Sequence, residues 1–125
     1  MKTVLVVEDD EKSRRLLVDV LGARGYRVLP FERGEEALAA VTATAPDLAV
    51  LDIHLPGIDG VQTLLSLRAA SFGARPALAV TASVMSGDLA RLHAVGFDAV
   101  LQKPLRLRDF LDTVQRLLAP PAAPD

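Results

Sequence analysis

Short runs of consecutive apolar residues alternate with longer stretches of helical period along the chain, the pattern of βα units that build a parallel sheet. Five runs predict strands: Thr3 to Val7, Arg27 to Phe31, Leu48 to Asp52, Ala77 to Thr81 and Ala99 to Gln102. The first, third and fourth are continuously apolar, as expected for central strands covered on both faces. Ser13, Leu16, Leu17, Val20 and Leu21 recur at three- and four-residue steps and predict a first helix ended by Gly22 and Gly25. Ala37, Leu38 and Val41 mark a weaker second helix. Val61, Leu64, Leu65 and Leu67 mark a third, with Asp59 as its cap. A short fourth, carrying Leu89, Leu92, His93 and Val95, closes at Gly96. The fifth, with Leu107, Phe110, Leu111, Val114, Leu117 and Leu118, is the most clearly amphipathic. Residues 1–118 form one domain on this reading, and 119–125, with three prolines in seven residues, read as a disordered tail, a natural terminus or the stub of a linker.

Composition narrows the function classes. At 125 residues and 50% hydrophobic content the chain can bury one sizeable core but not two. A net charge of -2 without a long like-charge run leaves no electrostatic footprint for nucleic acid. The absence of cysteine excludes a disulfide framework and a thiolate metal site. With no 18-residue apolar stretch and no signal-like N-terminus, a cytoplasmic protein without membrane contact is expected. Trp is absent and aromatics make up 4%, so the core must be aliphatic and stacking on bases is not a general mechanism here.

Charge placement carries the chemistry. Glu8-Asp9-Asp10 ends the first apolar run and Asp52 ends the third, where LAVLD passes into HLPGIDG. In an open parallel sheet the carboxyl ends of neighbouring strands lie side by side, so these acidic groups converge in one crevice. Crowded carboxylates repel unless a hard divalent cation neutralises them through oxygen ligands, which points to Mg2+. Asp52, desolvated on one side and facing a metal, is suited to attack phosphorus and form an acyl phosphate; taken alone, a turn or capping aspartate is the plainer reading. Asp9 is assigned as the direct ligand and Glu8 as a second contact through water, while Asp10 stands equally well as the cap of the first helix.

Thr81 ends the fourth strand and offers a hydroxyl to a phosphoryl oxygen. Lys103 ends the fifth, where Pro104 holds it extended, so its ammonium can reach the same crevice; the Lys103-Pro104 bond is a candidate for cis geometry. A hard-cation site prefers oxygen, so His54 contributes its backbone carbonyl while its imidazole rims the site. His93 reads as a packing or surface residue, and Arg14, Arg15, Arg106, Arg108 and Arg116 as solvated helix faces.

Taken together, Glu8-Asp9, Asp52 in LDIHLPGIDG, Thr81 in VTAS and Lys103-Pro104 resemble the receiver domain of two-component response regulators, over the chain from Lys2 to Leu118. The resemblance implies a flavodoxin-like, doubly wound α/β fold, a five-stranded parallel sheet in order 2-1-3-4-5 with five helices. It implies that Asp52 is the phosphoacceptor, charged from a phosphohistidine on a sensor histidine kinase or histidine phosphotransfer protein. Mg2+ would lie on Asp9, Asp52 and the His54 carbonyl with Glu8 assisting, and Thr81 and Lys103 would contact the phosphoryl group. Such a protein promotes its own phosphorylation and dephosphorylation and turns over no separate substrate.

The resemblance departs at Val100, where the family commonly has an aromatic switch residue; output then falls to the loop after strand four or to phosphoryl relay. His54 and Ser83 occupy positions that set acyl-phosphate lifetime in the family. The segment after Thr81 is similar to receivers that stand alone or are fused to hybrid kinases, without a DNA-binding output domain. Glu11, Arg14, Arg15 and Leu55-Pro56 would meet the phosphodonor, and Met85, Val100 and Leu105 a downstream protein target, from a monomer or weak homodimer. Two other classes are an interaction module on the same fold that signals without phosphate, and a metal-dependent phosphohydrolase with an aspartyl nucleophile. The second commonly has a carboxylate two residues after the nucleophile, where this chain has His54.

Overall fold

In the computed structural model, which describes residues 1–84 and 87–119, the strands fall where the apolar runs place them. The order is β1 (Thr3–Val7), α1 (Glu11–Ala23), β2 (Arg27–Phe31), α2 (Gly34–Thr44), β3 (Leu48–Asp52), α3 (Gly60–Leu67), β4 (Ala77–Thr81), α4 (Asp88–Val95), β5 (Ala99–Gln102) and α5 (Leu107–Leu118). All strands are parallel and lie in the order β2-β1-β3-β4-β5, the flavodoxin-like arrangement expected.

Side-chain alternation along the strands divides the core in two. Val4 and Val6 of β1, Leu48 and Val50 of β3 and Leu78 and Val80 of β4 pack with Leu17 and Leu21 of α1 and Phe110 and Val114 of α5. On the other face Leu5, Val7, Leu51 and three alanines, Ala49, Ala77 and Ala79, meet α2, α3 and α4. Alanine leaves room beside the sheet on that face, and Phe72 and Phe97 fill it. Two aspartates set strand starts: Asp47 accepts from the Thr3 amide and Asp98 from the Ala77 amide, both at 2.8 Å.

The helices differ from the sequence pattern in places. Gly22 lies within α1, which runs to Ala23, and the turn falls at Gly25, whose φ of 87° favours glycine. Leu16, Leu65 and Leu89, whose spacing helps mark their helices, are about half exposed, because each helix touches the sheet along a stripe narrower than its run of apolar residues. After α3 a kinked segment, Arg68–Phe72, in which Ala70 leaves helical geometry, delivers Phe72 to the core. Arg68 then donates to the carbonyls of Gly73, Arg75 and Gly96 at 2.6, 2.8 and 2.7 Å, tying the approaches to β4 and β5 together. Met85 and the tail beyond Ala119 lie outside the described residues.

Candidate functional site

The strand ladders run one residue past β1, β3 and β5. The Glu8 amide donates to Phe31 at 3.0 Å, the Ile53 amide to Val80 at 3.0 Å and the Lys103 amide to Thr81 at 2.7 Å. Extended geometry therefore persists to the tips, and parity with Val6, Val50 and Leu101 turns Glu8, Asp52 and Lys103 to the same face, that of α1 and α5. The three meet there. Lys103 Nζ lies 2.5 Å from Glu8 Oε1 and 3.0 Å from Asp52 Oδ2. The remaining oxygens are held by main chain: Asp52 Oδ1 accepts from the His54 amide at 3.0 Å and Glu8 Oε2 from the Asp10 amide at 3.2 Å.

Burial decides the electrostatics. Glu8 and Asp52 are only 2% and 6% exposed. Desolvation pushes the Glu8 carboxyl up to about 7, against the pull of Lys103 and with the help of neighbouring Asp52. Burial works against the Lys103 ammonium too, but its hydrogen bonds to Glu8 and Asp52 outweigh it and hold the lysine above its usual value. Asp9 is exposed at the rim, and carboxylate oxygens of Glu8, Asp9 and Asp52 all lie within 4.8 Å of one another. An all-oxygen anionic set of that spacing suits a hard divalent cation.

Asp10 is the α1 cap, accepting from the Ser13 amide at 2.8 Å, and that bond lowers its carboxyl below the usual range. Thr81 is buried at the tip of β4, on the opposite parity, and its hydroxyl donates to the Ser83 carbonyl at 3.0 Å within its own turn. The His54 side chain is exposed and lines a cleft with Asp9, Asp59 and Arg91. His93 is exposed on α4, its Nδ1 2.9 Å from the Phe97 carbonyl oxygen, in keeping with a surface role. The Lys103-Pro104 bond is cis.

Three residues of the site's frame were not legible as such. Arg14 is not a solvated helix face: its side chain is 16% exposed and its guanidinium turns back onto the end of β1. Glu35 of α2 accepts from the Ile58 amide at 3.1 Å and tethers the loop after β3. Gly60 lets α3 start against β3, since a Cβ there would meet the Asp52 carbonyl oxygen at 2.3 Å. Only Gly60 gave a signal, as the last residue of LPGIDG.

The family model described as the response regulator receiver domain matches residues 4–115. The chain belongs to this family. Polar-differentiation response regulator DivK of Brucella anthropi is 34% identical to this receiver over 118 residues, covering 94% of the chain and 96% of that protein. Vibrio cholerae chemotaxis protein CheY4 has the same fold with a TM-score of 0.89 at 29% identity, over 94% of this chain and 99% of that one. The receiver domain of sensor histidine kinase PA1611 from Pseudomonas aeruginosa PAO1, solved with a magnesium ion coordinated in its active-site cleft, matches with a TM-score of 0.84 at 27% identity, over 94% and 97% of the two chains. Receiver domains are signalling modules of two-component systems that work with histidine kinases or phosphotransfer proteins, not enzymes that turn over a separate substrate. Among the described residues no helix is long and apolar enough to cross a membrane.

Proposed function

We infer that this receiver accepts a phosphoryl group on Asp52 from a phosphohistidine of a sensor histidine kinase or histidine phosphotransfer protein, in a Mg2+-dependent reaction, and signals or relays through protein contacts. The observation that carries the reading is the placement of a buried Asp52 carboxylate between the Lys103 ammonium, the His54 amide and the carboxylates of Glu8 and Asp9. Asp9, Asp52 and the His54 carbonyl would hold the ion, with Glu8 assisting, and it would draw charge off the transferring phosphoryl oxygens.

The chain's own residues supply position. The His54 amide fixes one oxygen of Asp52, which leaves the other to form the bond to phosphorus as the phosphorus–nitrogen bond breaks and its electron pair leaves on the imidazole. Lys103, already on Asp52 Oδ2, has only to follow the incoming charge. Thr81 must exchange its bond to Ser83 for one to the phosphoryl group, which moves the loop after β4. At the usual switch position Val100 is half-buried against the α2–α4 core and has no ring to swing, so output runs through that loop or through onward relay.

Intact-protein mass after incubation with a small phosphodonor tests the reading. A Mg2+-dependent phosphoryl adduct in the wild type that is lost in Asp52→Asn is the expected result. No adduct on folded, metal-competent protein overturns it in favour of a phosphate-independent interaction module.

A further inference from the structure

We propose that Arg14 is a positioning residue that holds the main chain of Glu8 and Asp9 so that their carboxylates converge with that of Asp52; the inference rests on the Mg2+ reading above. Nη1 of Arg14 donates to the Glu8 carbonyl at 2.9 Å and to the Asp9 carbonyl at 3.4 Å. Nη2 pairs with Glu32 Oε1 at 3.4 Å in the connection between β2 and α2. One guanidinium thus joins three segments: the tip of β1, the first turns of α1 and the end of β2.

The place of these bonds gives them their effect. The Glu8 amide makes the last ladder bond of β1 and Asp10 makes the cap of α1, so the carbonyls of Glu8 and Asp9 fall between two regular elements. The Glu8 carbonyl is half-buried and needs a partner; Nη1 supplies it and also reaches the Asp9 carbonyl, while Nη2, the other arm of the planar fork, is held on Glu32, a two-point anchor that a lysine ammonium cannot reproduce. Both carbonyls belong to residues whose side chains form the acidic set, so rotation of either peptide swings a carboxylate off its convergence point. Residues that orient a ligand set from behind typically change metal affinity by about ten- to a hundredfold when removed.

The sign of the effect separates positioning from charge. If Arg14 acted only as a positive charge beside the site, removing it would tighten Mg2+ binding, because one repulsive neighbour would be gone. Positioning predicts the reverse.

Mg2+ titration calorimetry on the full chain decides between them, with thermal unfolding in chelator used to choose a temperature at which every variant is folded. Arg14→Met is expected to bind Mg2+ about tenfold more weakly than the wild type and Arg14→Lys, which keeps the charge but not the fork, about threefold more weakly. Equal or tighter binding by folded Arg14→Met overturns the proposal, as does unchanged affinity with lowered stability, the mark of a merely structural contact. If Arg14→Met does not fold, unchanged affinity in Arg14→Lys overturns it alone. A wild type that binds no Mg2+ removes the metal reading and this inference together, whereas binding by wild type and variants alike removes only this inference.

Discussion

The Lys103 ammonium donates to Asp52 Oδ2 across 3.0 Å, joining the tips of β5 and β3 over the intervening β4. Its second contact, to Glu8 at the tip of β1, makes it the internal counterion of the crevice. Two nearly buried carboxylates on neighbouring strands are held close by one cation supplied from the sheet edge. On the function proposed above, a hard divalent ion would compete with Lys103 for carboxylate oxygen and a phosphoryl group would draw the lysine away from Glu8.

Removing that counterion should cost stability and make the fold depend on metal. Lys103→Met leaves Glu8 and Asp52 buried without a cation, and breaking a pair of this burial is expected to cost about 1–3 kcal/mol at neutral pH, below the range for fully buried pairs because the lysine is 26% exposed. Urea unfolding with and without Mg2+ checks it. Mg2+ should stabilise the variant more than the wild type, and equal stabilisation of both would contradict the counterion role.

The raised Glu8 pKa fixes a direction for pH dependence in metal-free protein. An unfolded glutamate titrates near 4.5 and the folded Glu8 near about 7, so between those values the folded state holds a proton that the unfolded state has released. Stability from this group therefore falls as pH rises through that window and the loss is complete above about 7, amounting to about 3 kcal/mol at most. Unfolding in chelator at pH 5.5 and pH 8 is expected to show the loss in the wild type and a flatter response in Glu8→Gln. Identical slopes in the two proteins would rule the assignment out.

Strand positions and the acidic tips were legible because burial on both faces writes continuous apolar runs, and a carboxylate directly after such a run has no solvated face to explain it. Period-two parity would also have put Glu8, Asp52 and Lys103 on one face, by counting from Val6, Val50 and Leu101. Long-range side-chain bonds left no comparable mark. Arg14 looks like any helix-surface arginine until the tip of β1 lies beneath it, and Asp47 and Asp98 cap distant strands through contacts 44 and 21 residues away in sequence. Helical period marks an element without fixing burial: Leu16, Leu65 and Leu89 keep the period but sit at the edge of the buried stripe.

Two glycines in helices should respond in opposite ways to alanine. At Gly60 the new Cβ would lie 2.3 Å from the Asp52 carbonyl oxygen and 2.8 Å from Ile53 Cα, backbone that cannot move without moving the site. Gly60→Ala is expected to cost about 1–3 kcal/mol and to slow phosphoryl uptake. At Gly22 nothing lies within 4 Å and the residue is helical, so Gly22→Ala should add about 0.5–1 kcal/mol and leave uptake unchanged. Chemical denaturation with a phosphorylation time course measures both; a stable, fully active Gly60→Ala would show that α3 is free to retreat from β3.

Asp9 offers the cleanest separation of metal binding from folding. Its side chain is exposed and its carboxylate has no hydrogen-bonded or ion-pair partner among the described contacts, unlike Glu8 and Asp52. Asp9→Ala should therefore leave stability in chelator within about 0.5 kcal/mol of the wild type, with any change favourable because one like charge is gone. Mg2+ affinity should fall nonetheless, since the three-carboxylate set loses the one ligand not already engaged by Lys103. Calorimetric titration with Mg2+ beside thermal unfolding without it reads both quantities on one sample. Wild-type affinity in Asp9→Ala would move the ion off the β1 tip and leave Asp52 and the His54 carbonyl to hold it.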